Sequence, residues 1–143
     1  IIQNGSPLFS GDAGSGPSEI RRYILENDWL DAIVQLGTDM FMNTGISTYI
    51  WICSKDKPVH RAGKVQLIDA SGCCVPKNRP IGKKRNDITK FCRDLVLEAF
   101  SDFETKDYSS SSESGNAIHV RSLVCDAADF GYNRVGVCEP CLT

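Results

Sequence analysis

Two runs rich in β-forming residues, Leu30-Asp-Ala-Ile-Val-Gln-Leu36 and Thr48-Tyr-Ile-Trp-Ile-Cys53, lie eleven residues apart. Their near-continuous apolar character suits strands that are covered on both faces, so both belong in the core of one sheet. The segment between them, Leu36 to Ile46, must then be a loop whose ends are fixed by that sheet. Gly37 and Gly45 allow it tight backbone turns.

The flanking sequence reads as an α/β pattern. Ile1-Ile2 looks like the end of a strand that begins upstream, and Asn4 to Gly16, rich in Gly and Pro, reads as a loop. A helix follows, with Gly16 as cap, Pro17 at its first position, Glu19 near its positive end and an apolar stripe of Ile20, Tyr23 and Ile24. Lys55 to Pro58 predicts a turn, Val65 to Asp69 a third strand, and Ser71 to Arg85 a loop with two prolines and five basic residues. From Ile88, the positions Phe91, Cys92, Leu95, Val96, Ala99, Phe100 and Phe103 repeat with helical spacing, and Asn86 or Asp87 is available as cap. Tyr108 to Asn116, with its serines, reads as a flexible loop, and a short strand is expected near Arg134 to Val137. These features divide the chain into residues 1–105, holding the strands, helices and basic loop, and 106–143, a serine-rich loop and tail.

Composition narrows the classes. At 143 residues the chain suits one ordinary domain, and 41% hydrophobic with 24% charged residues is the balance of a globular protein. No apolar run approaches the roughly 20 residues of a membrane span, and no secretory signal opens the chain. Seven scattered cysteines are an odd number and do not form a disulfide framework, which favours reduced thiols and a cytoplasmic setting. Cys138-Glu-Pro-Cys141 has the spacing of half a zinc site, but Cys73-Cys74 is a poor second half, so no metal is expected. His60 and His119 stand in polar surroundings, as surface histidines do. A net charge of −2 argues against general nucleic-acid affinity and leaves local patches, of which Lys77 to Arg93 is the most basic.

Several segments, in order, carry a family resemblance. They are Asn4 to Gly16, Glu19 to Asp28, Leu36-Gly-Thr-Asp-Met-Phe-Met-Asn-Thr-Gly-Ile46, Gly63-Lys-Val-Gln-Leu-Ile-Asp-Ala-Ser-Gly72, Gly82-Lys-Lys-Arg85 and Asp129-Phe-Gly-Tyr132. Together they resemble the adenine-specific DNA methyltransferase (modification) subunit of type I restriction-modification systems. The resemblance implies an α/β fold, the C-terminal portion of a Rossmann-like S-adenosylmethionine-dependent methyltransferase. It implies methyl transfer from S-adenosylmethionine to adenine in DNA, with specificity and restriction subunits as partners and no membrane. Such enzymes rotate the target nucleotide out of the duplex and hold it against aromatic faces. The resemblance places Phe41 against the extruded adenine, with Asn43 and Thr44 positioning it or touching the adjacent backbone; a plug at the edge of the core is the plainer use of a loop phenylalanine.

Lys83, Lys84 and Arg85 are candidates for DNA-backbone contact, and a solvated basic loop is the alternative. Two departures soften the loop: Gly37 stands where the family commonly has proline, and Met42 where it often has an aromatic. The family's Asn/Asp-Pro-Pro-aromatic catalytic motif is missing, and Gly14-Ser-Gly16 reads as a connector, so no catalytic or cofactor-binding residue is expected here. The cofactor should be bound by an upstream half, and this segment alone should be inactive. The competing expectation is a non-catalytic interaction module or remnant that binds partner subunits or DNA.

Overall fold

A computed structural model describes residues 1–111, 115, 117–133 and 135–137. Six strands form the main sheet in the order β1 (Ile2–Asn4), β3 (Thr48–Cys53), β2 (Leu30–Leu36), β4 (Lys64–Ala70), β8 (Ala117–Asp126), β7 (Lys106–Ser111). The pair β2 and β4 runs parallel, with Val34 opposite Ile68, and its neighbours pair antiparallel. The central position of β2 accounts for its apolar sequence, since six of its seven residues are buried.

Alternation along the strands divides the core in two. On one face Val34, Leu36, Ile68, Ala70, Ile118 and Val120 pack under α3 (Lys90–Asp102), which contributes Cys92, Leu95 and Ala99. On the other, Ile33, Trp51 and Val65 meet Ile24 and Leu25 of α2 (Gly16–Glu26) and Phe130 of a short 3-10 turn, Ala127–Phe130. Each fully buried Ile or Val contributes roughly 1.5–3 kcal/mol relative to exposure.

The helix α3 starts later than Asn86 or Asp87 because Thr89 caps it, its hydroxyl accepting from the Cys92 amide at 3.2 Å. In α2, Ser15 rather than Gly16 is the cap, and the helix faces the sheet through Ile24 and Leu25, while Ile20 and Tyr23 are mostly exposed. Arg21 fixes that rotation by donating to the Pro7 and Ser10 carbonyls at 3.1 and 2.7 Å. Those bonds also tie down the Gly- and Pro-rich stretch before the helix, which includes one helical turn, α1 (Ser6–Phe9), where a loop was expected.

Three further expectations are corrected. Ser71 to Arg85 is not a loop: β5 (Val75–Ile81) and β6 (Lys84–Asp87) form a separate two-stranded hairpin whose register breaks between Pro76 and Ile81. The serine-rich stretch is strand β7 as far as Ser111, because Tyr108 buries its ring while its serine neighbours line a strand edge; Ser112 to Ser114 and Asn116 lie outside the described residues. The strand expected near Arg134 is absent from Val135 to Val137, and Arg134 itself is outside the described residues. Earlier in the chain, the ten-residue β8 joins the main sheet between β4 and the edge strand β7.

A buried polar cluster joins these layers. Arg61 is 5% exposed; its Nε donates to Asp31 Oδ1 at 2.6 Å, and its two terminal nitrogens donate to the Phe100 carbonyl at 2.9 Å and to Gln66 Oε1 at 3.0 Å. Its guanidinium lies 4.2 Å from the ring centres of both Phe100 and Phe103. Gln66, fully buried, donates onward to the Ala99 carbonyl and Ser122 Oγ. One arginine thus links β2, β4, α3 and, through Gln66, β8.

Candidate base-side loop and basic hairpin

The loop between β2 and β3 is built around a reversal at Asp39, which takes a left-handed conformation at φ 57°. Its amide donates to the Gly45 carbonyl at 3.3 Å, and a Cβ on Gly45 would fall 2.7 Å from the Asp39 carboxylate, which would have to turn aside. The Thr44 hydroxyl accepts from the Ile46 amide at 3.4 Å and holds the second bend. Past the reversal, Met40 turns inward and is 8% exposed, while Phe41 is half-buried and belongs to neither core cluster.

Phe41, Asn43 and Thr44 come together along a shallow depression of about 320 Å³. Its other wall is β1 and the start of β3, with Gln3, Asn4 and Thr48 among the lining residues. Phe41 thus stands beside an open, partly polar depression, one residue after the buried Met40. Gln3 and Asn4, far away in sequence, were not singled out from the sequence; the Asn4↔Thr48 register of β1 and β3 brings them there.

The basic residues divide by strand alternation. Lys83 and Arg85 are exposed and, among the described residues, face no carboxylate. Lys84 points the other way and binds Asp87 at 3.0 Å, beside Lys77 at 3.3 Å. Hydrogen bonds from these two lysines hold the Asp87 carboxyl below its ordinary range.

Gly14-Ser-Gly16 follows a helical turn and a bend rather than a sheet strand, so it lacks the strand–turn–helix geometry that presents backbone amides to a nucleotide cofactor. That stretch is therefore not a cofactor turn of that kind. Among the described residues no three His, Cys, Asp or Glu side chains gather as metal ligands. Cys138 and Cys141 lie outside the described residues. Cys53, Cys73, Cys74, Cys92 and Cys125 are free thiols, and burial, with the neighbouring Cys92 thiol, pushes Cys73 up to about 12. His60 is exposed and stacks edge-on to Phe103 at 5.8 Å; His119 is exposed on β8. No helix of the described residues is long and apolar enough to cross a membrane.

Among the described residues the sheet is mixed, with one parallel pair at its centre, α2 on one face and α3 on the other. The chain matches the type I restriction-modification methyltransferase subunit from Streptococcus thermophilus with a TM-score of 0.68, over 90% of this chain and 23% of that one, at 23% identity. A modification subunit of a putative type I restriction enzyme from Vibrio vulnificus matches with a TM-score of 0.53, at 21% identity, over 82% of this chain and 24% of that one. The model of the N-6 DNA methylase family matches residues 1–126, and the chain belongs to that family. Among curated relatives from Methanocaldococcus jannaschii, the type I restriction enzyme MjaVII methylase subunit is 34% identical over 104 residues, 73% of this chain and 17% of the relative. The MjaIX methylase subunit is 30% identical over 93 residues, 65% of this chain and 16% of its own length. The chain therefore spans less than a fifth of the length of either relative.

Proposed function

We propose that this segment serves within a methylase subunit that transfers a methyl group from S-adenosylmethionine to adenine in DNA, in a cytoplasmic type I complex with specificity and restriction subunits. Its share is the target-base side. Phe41 offers its ring to the extruded adenine, Asn43 and Thr44 line the same depression, and Lys83 and Arg85 face the DNA backbone, to which Lys84, paired with Asp87 on the other side, adds a weaker contribution. The cofactor and the catalytic residues belong to other parts of the subunit, so this segment alone turns over nothing. The observation that carries this reading is the gathering of Phe41, Asn43 and Thr44 on one depression, on a loop bonded to the basic hairpin. Stacking of a base on an aromatic ring is worth about 1–3 kcal/mol.

The test uses the full-length methylase with its partner subunits. Phe41→Ala is expected to lower the methylation rate by about 5- to 150-fold, the kinetic equivalent of that stacking energy. DNA affinity should fall much less. Lys83→Ala and Arg85→Ala should each weaken binding on all sequences and reduce the salt slope by about 1. Lys84→Ala should reduce it less, since Asp87 already occupies that ammonium. A Phe41→Ala enzyme that methylates at the parent rate would refute the base-side role. Unchanged salt slopes in Lys83→Ala and Arg85→Ala would refute the backbone role.

A further inference from the structure

The hairpin and the loop are separated by about forty residues in sequence, yet main-chain bonds fasten them together. The Lys83 amide donates to the Met42 carbonyl at 2.9 Å, and the amides of Arg85 and Asn86 both donate to the Asp39 carbonyl at 3.0 Å. Asn86 Nδ2 adds a bond to the Thr38 carbonyl at 3.0 Å. Gly82, at the hairpin turn with φ +60°, lets the two backbones approach: a Cβ there would lie 2.6 Å from the Met42 carbonyl oxygen. The contacts fall on Thr38, Asp39 and Met42, on both sides of Phe41. Asp39 also holds the left-handed conformation, which an L-residue adopts at some cost and keeps only where its surroundings impose it.

We propose that the turn and second strand of the hairpin are the element that positions Phe41, with Gly82 on the turn and Asn86 on the strand as positioning residues. Lys83 on the turn and Arg85 on the strand project from the same element, so a phosphate gripped there is connected to the aromatic loop through their own main-chain hydrogen bonds. Engagement of the DNA backbone and placement of the ring beside the extruded base then become one event. The proposal rests on the base-side reading of Phe41 and adds to it the part that sets the ring's place.

The experiment uses the full-length methylase complex and a duplex carrying its recognition site, with 2-aminopurine in place of the methylated adenine. Fluorescence is read per bound complex at saturation, so that loss of folded protein lowers the amount bound and not the signal of each complex. Stacking on Phe41 quenches the extruded probe, and Phe41→Ala restores its emission. Asn86→Asp, which replaces the donor by an acceptor facing the Thr38 carbonyl, and Gly82→Ala, which forces the backbones apart, should each recover most of that emission. Their affinity for DNA should stay within about threefold, because the phosphate contacts remain. Parental fluorescence per complex in both variants, with Phe41→Ala still bright, would overturn the positioning role and leave the base-side reading standing. No change in Phe41→Ala itself would overturn the base-side reading and the positioning role with it. Should Gly82→Ala fail to fold, Asn86→Asp decides the matter alone.

Discussion

Replacing Arg61 by methionine keeps an unbranched side chain between Phe100 and Phe103 but removes the charge that neutralises Asp31. The Asp31 carboxylate, itself 6% exposed, is left without its partner, and breaking a buried pair in this way costs about 3–5 kcal/mol. The Phe100 carbonyl and Gln66 Oε1 lose donors as well, each worth about 1–3 kcal/mol when left unmatched. These terms overlap, since water reaching one acceptor reaches its neighbours, and we expect about 4 kcal/mol in all. That is a large share of the stability of a small domain, which runs to about 5–15 kcal/mol. In urea, with a slope of about 2 kcal/mol/M, the midpoint should fall by about 2 M. The double variant Arg61→Met with Asp31→Leu removes both charges and should recover at least half of the loss. A single variant that loses less than about 1 kcal/mol, or a double variant no better than the single, would refute the argument that charge pairing and not simple packing is at stake.

Among the described residues the thiols should react in order of exposure: iodoacetamide should label Cys53 before the other four, while Cys73 and Cys92 stay unmodified until the protein unfolds, as peptide mapping would show. Alkaline stability follows from two acids raised by folding. Tyr108 is pushed up to about 12 by burial and by its bond to Asp102, and Cys73 likewise. In each case the unfolded group ionises first, so their contribution is complete below about pH 9 and is lost progressively toward pH 12, which melting curves across that range would reveal. Tyr108→Phe should flatten the part of that decline above pH 10, and an unchanged slope would count against it. At Gly37 a Cβ would stand 3.1 Å from both Cys74 Sγ and the Ser71 carbonyl, so Gly37→Ala should cost about 1 kcal/mol, and Cys74→Ala in the same chain should return part of it. Equal melting temperatures for Gly37→Ala and its parent would contradict that packing.

What could be read in the sequence was whatever depends on local pattern. The apolar runs of β2 and β3 and the helical spacing of α3 have one physical interpretation each, and both strands and the helix stand where that pattern puts them. β8 also left a signal in the alternation of Ile118, Val120 and Ser122 with exposed His119, Arg121 and Leu123, but the serines beside it suggested a loop. The hairpin escaped because Pro76 and Pro80 argue against a strand in general, though not against a short ribbon outside the main sheet. Arg61 was invisible for a different reason: its carboxylate partner and its carbonyl acceptor lie 30 and 39 residues away, and its near partner, Gln66, is an uncharged residue that does not announce a buried cation. At the candidate site Phe41, Asn43 and Thr44 were found through family resemblance, and the opposite wall, Gln3 and Asn4, needed the β1–β3 register.

The prolines of β5 have one more consequence. A two-stranded ribbon outside its parent sheet has edges on which other chains can polymerise; β6 gives its Arg85 and Asn86 amides to Asp39, which leaves β5 as the edge at risk. Pro76 and Pro80 remove two N–H groups from a strand of seven residues, the register break interrupts what remains, and Lys77 and Arg79 add charge along it. A second ribbon laid alongside would meet missing donors and like charges. The segment can therefore hold an extended basic arm in solvent without offering it as a template for aggregation.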